Sequence, residues 1–181
     1  MAKDNRQLNV QPHSEEAELA VLGSMLSSKE AVSKAIEILK PEYFYKNAHE
    51  KIFLAMQILF DKSEPIDTVS VSEILKKNDE LESSGGIYFL TGLIDSVPTA
   101  AHIERYSKIV MEKAILRKLI TLSHDIAKES YEDNKDIGDI LDYVEQSMFK
   151  ITQNNLKGGF KQINPIMMDA LDDLEEKRKK G

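Results

Sequence analysis

The sequence predicts an all-α fold: a compact helical head, then a long antiparallel helical hairpin, then a detached C-terminal linker helix. Three observations carry this expectation. Apolar residues recur at three- and four-residue spacing along most of the 181-residue chain. Residues that favour helix N-termini stand just ahead of several of those runs. Between Ala100 and Glu132 there is neither Pro nor Gly, a stretch worth roughly 50 Å of helix at ~1.5 Å per residue.

Taken in order, Ser14 is placed to cap a first helix, with Glu15 and Glu16 supplying the sign of charge that a helix N-terminus favours. Leu19, Leu22 and Leu26 continue it at helical spacing. Val32, Ala35, Ile36 and Leu39 mark a second helix that stops before Pro41. Asn47 followed by Glu50 resembles a capping box, and Ile52, Met56, Leu59 and Phe60 are the expected inner face of the third helix. Pro65 breaks the chain. Val69 and Val71 alternate as in a strand, but Ile74 and Leu75 continue a helical period, which favours a helix there. Ser84-Gly85-Gly86 reads as a turn. Phe89, Leu90, Leu93 and Ile94 form one more short helix, ended at Val97-Pro98.

The long segment after Thr99 is interrupted at Asp133-Asn134. A second long helix starts near Asp136, a plausible N-cap. Its apolar positions Ile137, Leu141, Val144, Met148 and Ile151 make a seam of period about 3.5, the pattern of closely aligned helices. The short turn between the two implies an antiparallel pair. The first hairpin helix carries more apolar surface than one partner needs. Ile109, Leu116 and Ile120 form one stripe, and Ile115, Leu119, Leu122 and Ile126 a neighbouring one. Either the head or another subunit covers the second stripe.

Asn154 to Gln162, around Gly158-Gly159, reads as a flexible linker. Asn164 and Pro165 then fit the N-cap and first position of a short helix that runs to Lys177-Arg178-Lys179-Lys180, one residue before Gly181. Its stripe, Met167, Ala170, Leu171 and Leu174, is expected to dock on something outside this chain, because a helix this short is marginal alone. The expected boundaries are 1–99 for the head, 100–155 for the hairpin within the same N-terminal domain, 156–164 for the linker and 165–181 for the linker helix.

The net charge is -7. Residues 1–99 carry 10 basic and 16 acidic side chains, residues 100–155 carry 8 and 10, and residues 156–181 carry 6 and 5. An acidic surface repels phosphate, so strong direct nucleic-acid binding is not expected. There is no cysteine, hence no disulfide and no thiolate metal site. No stretch approaches the ~20 apolar residues of a membrane span, and the polar start at Met1 to Gln11 lacks a signal-peptide core. The default is a cytoplasmic protein.

Catalytic signatures are lacking. There is no Gly-x-x-x-x-Gly-Lys-Ser/Thr phosphate loop; Gly85-Gly86 and Gly158-Gly159 read as turn and linker. His13, His49, His102 and His124 are scattered, none at metal-ligand spacing. His49, in the first turn of a helix, is expected at the surface. No Ser-His-Asp set can be assembled. Asp172, Asp173, Glu175 and Glu176, interleaved with Leu171 and Leu174, read as a solvated face. No catalytic, cofactor or metal residue is assigned.

Several segments together resemble the bacterial replicative DNA helicases of the DnaB family. They are the run PHSEEAELAVLG from Pro12 to Gly23, Tyr43-Phe44-Tyr45 followed by His49-Glu50-Lys51-Ile52-Phe53, and Gly85-Gly86-Ile87-Tyr88-Phe89-Leu90-Thr91, similar to a GGxxYL segment. Ser96-Val97-Pro98-Thr99-Ala100-Ala101 and Ala114-Ile115-Leu116-Arg117-Lys118-Leu119-Ile120 complete the series. They occur in one order over about residues 12–181. Phe89 stands where the family commonly has Tyr, which removes a hydroxyl.

The resemblance covers the family's N-terminal domain and linker helix. It implies a non-catalytic scaffold that forms dimers through the hairpin, three dimers making a collar on a hexameric ring, and that recruits the primase C-terminal domain, with a helicase loader as a further candidate partner. ATP and Mg would belong to a RecA-like motor domain beyond Gly181, and the linker helix would pack on a neighbouring motor domain. Phe89, Ile120 and Ile126 are the expected primase contacts, and Ile115, Leu116, Leu119 and Leu122 the expected oligomer interface. Two rivals are a stand-alone adaptor or helicase inhibitor that mimics the collar, and a small helical hydrolase using scattered carboxylates. A metal or nucleophile constellation would be needed for the latter.

Overall fold

The computed structural model describes residues 10–95, 100–132 and 136–155. Every regular element among them is helical: α1 (Glu15–Ser27), α2 (Lys29–Ile38), α3 (Asn47–Asp61), α4 (Thr68–Lys77), α5 (Gly86–Asp95), α6 (Ile103–Tyr131) and α7 (Ile137–Asn155), with short 3-10 turns at Pro41–Tyr43, Glu82–Ser84 and Ala100–His102. The ambiguous Val69–Val71 run is helix. Asp67 decides it: its carboxylate accepts the Ser70 amide at 2.8 Å and caps α4. That bond holds the Asp67 carboxyl below the usual carboxylate range. Ser14 caps α1 through the Ala17 amide at 3.3 Å. Asp136 accepts the Gly138 amide at 2.7 Å as α7 begins. Ser28 ends α1 and, through its hydroxyl, starts α2, so one residue makes the corner. Asn47 is not a cap but the first residue of α3, preceded by Lys46, which makes no capping bond.

Two compact units are present, and the division falls inside α6, between Thr121 and Leu122. In the first, α1 packs on α2, α3 and α5, and α3 packs on α4. Its core is Val21, Leu22 and Met25 of α1, Ile52, Phe53, Met56 and Leu59 of α3, Val71 and Leu75 of α4, and Leu90 and Leu93 of α5. Ile103, Val110 and Ala114 of α6 join the same core. Phe53, fully buried, takes the inward place expected of Phe60. Phe60 lies past the last full turn of that face and instead lines an open cavity of about 680 Å³ with Met25, Leu26, Val32, Pro65 and Ile66.

The Ser84-Gly85-Gly86 turn has a steric reason. Gly85 has φ +95°, and a Cβ there would lie 2.8 Å from Cβ and Cγ of Phe89. Glycine is required on both counts: left-handed backbone disfavours a side chain, and the Phe89 ring occupies the space. Gly85→Ala is expected to lower stability by roughly 1–3 kcal/mol from the backbone alone, read as a fall in melting temperature; an unchanged melt would show that the turn relaxes freely.

In the second unit, Tyr143 of α7 donates to Asp125 of α6 at 3.4 Å. The partly covered face of α7 is Ile140, Val144, Ser147 and Ile151. Of the expected seam, Val144 and Ile151 are therefore inward, whereas Ile137, Leu141 and Met148 are 69%, 60% and 41% exposed. The face has rotated by about one residue because Tyr143 engages Asp125 and polar Ser147 takes a place in the covered row. The expected linker and linker helix lie outside the described residues.

Candidate functional site

Four of the sequence segments quoted above meet in one polar knot inside the first unit. Glu18 sits on the buried side of α1, with Val21, Leu22 and Met25 one and two turns on, and is only 2% exposed. Such a carboxylate needs donors, since an unpaired buried charge is strongly unfavourable. It receives three: the Tyr45 amide at 2.7 Å, the Lys46 amide at 3.5 Å and His49 Nδ1 at 2.7 Å. An ionised carboxylate only accepts, so Nδ1 donates. Because Lys46 makes no capping bond, Glu18 serves α3 as a cap brought from another helix, with its charge at the end that favours it.

His49 is 1% exposed, contrary to the surface position expected for it. Its ring stacks on Phe89 of α5, with centroids 5.8 Å apart and planes within 4°. Arg117 of α6 donates to the carbonyls of Pro12 at 2.9 Å and Tyr43 at 2.6 Å. Its guanidinium lies 5.7 Å from the Tyr45 ring centroid, and His13 stacks on that ring at 4.2 Å. Burial pulls the Arg117 guanidinium below its usual value, partly opposed by the Glu18 charge. Lys46 pairs with Glu15 at the rim and holds that carboxyl below its ordinary range. Burial raises the Tyr43 phenol. The knot thus joins the N-terminal arm, the entry to α3, α5 and α6.

Its chemistry is structural. The carboxylate is enclosed and fully committed to donors, and among the described residues no group of His, Cys, Asp or Glu could hold a metal. No described helix is long and apolar enough to cross a membrane.

Phe89 is half-buried and packs against the core. Ile120 and Ile126 are half-buried, as are Ile115 and Leu119; Leu116 is 45% exposed and Leu122 is buried. Met167, Ala170, Leu171 and Leu174 lie outside the described residues. Among the exposed apolar side chains, Ile87 and Tyr88 on α5 and Phe149 on α7 were passed over by sequence reasoning, whereas Ile137, Leu141 and Met148 had been assigned to the hairpin's interior. Tyr88 was legible as the side of α5 opposite Leu90 and Leu93.

Residues 10–112 match the family model of the DnaB-like helicase N-terminal domain. The chain is 41% identical over 166 residues to the replicative DNA helicase DnaB of Geobacillus stearothermophilus, covering 92% of this chain and 37% of that protein. It is 40% identical to the replicative DNA helicase DnaC of Bacillus subtilis, covering 91% and 36%. It therefore spans little more than a third of the length of these curated relatives. The crystal structure of the N-terminal domain of DnaB helicase from Mycobacterium tuberculosis superposes with a TM-score of 0.74 at 34% identity, over 78% of this chain and 99% of that one. A DnaB-like replicative helicase solved for its interactions with primase shares the fold, with a TM-score of 0.64 at 24% identity, over 87% of this chain and 34% of that one. With more than half its length inside the family model and its described residues folded as all helix, this chain belongs to the DnaB-like helicase N-terminal domain family.

Proposed function

We propose that this chain is the non-catalytic scaffold of a replicative DNA helicase, one that self-associates into a dimer-based collar and recruits the primase C-terminal domain. The single observation that carries this reading is where the apolar surplus lies. Glu18 and His49 at the centre of the polar knot are buried, while exposed apolar side chains gather on α5 and α7, with Leu116 and Tyr131 on α6 and scattered ones on α3 and α4. Exposed apolar groups clustered on helix faces mark protein contacts. Family membership supplies the setting, and the relative solved with primase supports the choice of partner.

In this reading Leu116 and the half-buried Ile115 and Leu119 of α6 join sister subunits in the first unit, and the outward residues of α7, in the unit that begins at Leu122, are a second contact. The α5 face, with Ile120 and Ile126 as candidate contacts, receives primase. ATP, Mg, DNA unwinding and any loader contact belong to the whole protein, and Met167, Ala170, Leu171 and Leu174 dock there on a neighbouring motor domain. The test is a calorimetric titration with the primase C-terminal domain, run beside an ATP turnover assay. Saturable binding without turnover is the expected result. Turnover that persists through further purification, or no heat of binding at concentrations well above micromolar, overturns the reading.

A further inference from the structure

We propose that Tyr88, rather than Phe89, is the aromatic anchor that this chain offers its protein partner; the proposal rests on the primase reading above and sharpens it to one residue. Sequence resemblance pointed to Phe89, one position on. The geometry separates the two. The Phe89 ring is stacked on buried His49 and crowded by Gly85, so it is held by the fold and has little face to give. Tyr88 is 90% exposed, although a large aromatic ring gains much by burial.

Its exposure has a cause in the sequence. Helical side chains lean toward the N-terminus and cover the preceding turn. The residue three before Tyr88 is Gly85, and the residue four after it is Gly92, where an added Cβ would meet nothing within 4 Å. The ring therefore stands on bare backbone, with no side chain of its own helix beside it at those two positions. Ile87 and Ile94, seven residues apart and partly exposed, form a neighbouring apolar row about a quarter to a third of a turn away. The Thr91 hydroxyl, also on this face, is already donated to the carbonyls of Ile87 and Tyr88 at 3.2 and 2.9 Å.

Charge narrows the occupant. From Gly86 to Ile94 there is no charged residue, in a chain that is 30% charged. The nearest charges along the chain are carboxylates, Glu82 before the helix and Asp95 at its end. A helix with no Lys or Arg of its own from Gly86 to Ile94 gives phosphate little to hold, which disfavours nucleic acid. The complement is a protein cleft with an apolar floor for the ring and cations at its rim. The tyrosine suits this role, as a rigid ring with one hydroxyl at its tip, and such residues are enriched among binding hot spots.

The test uses the full chain and the primase C-terminal domain. Tyr88→Ala is expected to keep the wild-type melting temperature while weakening the primase Kd by about thirtyfold or more, as loss of a hot spot does. Gly92→Glu fills open space beside the ring with a carboxylate and removes a helix glycine, so it is expected to melt no lower than wild type and to block binding as well. Phe89→Ala is expected to lower the melting temperature. If wild type binds and both Tyr88→Ala and Gly92→Glu bind with wild-type affinity, Tyr88 is not the anchor, and the primase reading survives without it. If the two variants shift the self-association of the chain and leave primase affinity alone, the face belongs to a second copy and the proposal is wrong. If wild type itself does not bind, the function reading falls and the anchor with it.

Discussion

Glu18→Ala is expected to destabilise the head by about 3–5 kcal/mol, since each buried donor left without its acceptor costs roughly 1–3 kcal/mol. Three donors lose their acceptor at once, the amides of Tyr45 and Lys46 and the ring of His49, and the His49 ring has no water to turn to, being 1% exposed. At about 2–4 °C per kcal/mol for a chain of this size, the melting temperature is expected to fall by roughly 6–20 °C. His49→Ala should be comparable, since it strands the carboxylate and removes the ring beneath Phe89. Glu18→Gln keeps the shape but turns one acceptor into a donor facing donors, so an intermediate loss is expected. A double-mutant cycle on Glu18 and His49 isolates their coupling. Additive losses, or a Glu18→Ala cost below about 1 kcal/mol, would show that water replaces the lost bonds and that the knot is not a keystone.

The second large effect concerns assembly. Leu141→Asp combined with Met148→Asp is expected to give a chain that stays helical and is monomeric where wild type associates. The two side chains lie seven residues apart on the exposed face of α7. Burying a Leu or Met against a partner contributes roughly 1.5–3 kcal/mol each; replacing both with carboxylates loses that and places charge in the contact. A rise in the dimer dissociation constant of at least about a hundredfold corresponds to ~2.8 kcal/mol, within that range. Leu119→Asp is less clean: Leu119 is half-buried, so it would disturb packing as well. Leu116→Asp, at an exposed position, isolates the α6 stripe. If the α7 pair sediments as wild type and Leu116→Asp does not, the interface lies on α6.

The helices were legible because their signals are local. Ser14, Asp136 and the glycine turn acted where their residue types said they would. The knot was not foreseen, because its bonds join residues 27 to 105 positions apart. A trace of it was present all the same. Glu18 shares a face with Val21, Leu22 and Met25, and His49 shares one with Ile52, Phe53 and Met56. A carboxylate and an imidazole, each on an apolar stripe, are a pair in waiting. The α7 seam shows the opposite case. Periodicity counts apolar residues but cannot say which of two adjoining rows faces inward. Ile140, Val144, Ser147 and Ile151 include a serine and so scored lower than the row that stays outside. The residues left outside are the ones that a partner would cover. The packing of Phe89 was hidden by the same kind of blindness, since only the fold shows it lying on His49.

The central claim is that the exposed apolar faces of this chain are used for assembly and recruitment. Sedimentation velocity across a wide concentration range, alone and with excess primase C-terminal domain, tests it most directly. The account predicts a monomer that gives way to dimer in the micromolar range, and a further shift of the whole boundary when the primase domain is present. A chain that remains monomeric at its solubility limit and sediments independently of the primase domain would contradict it.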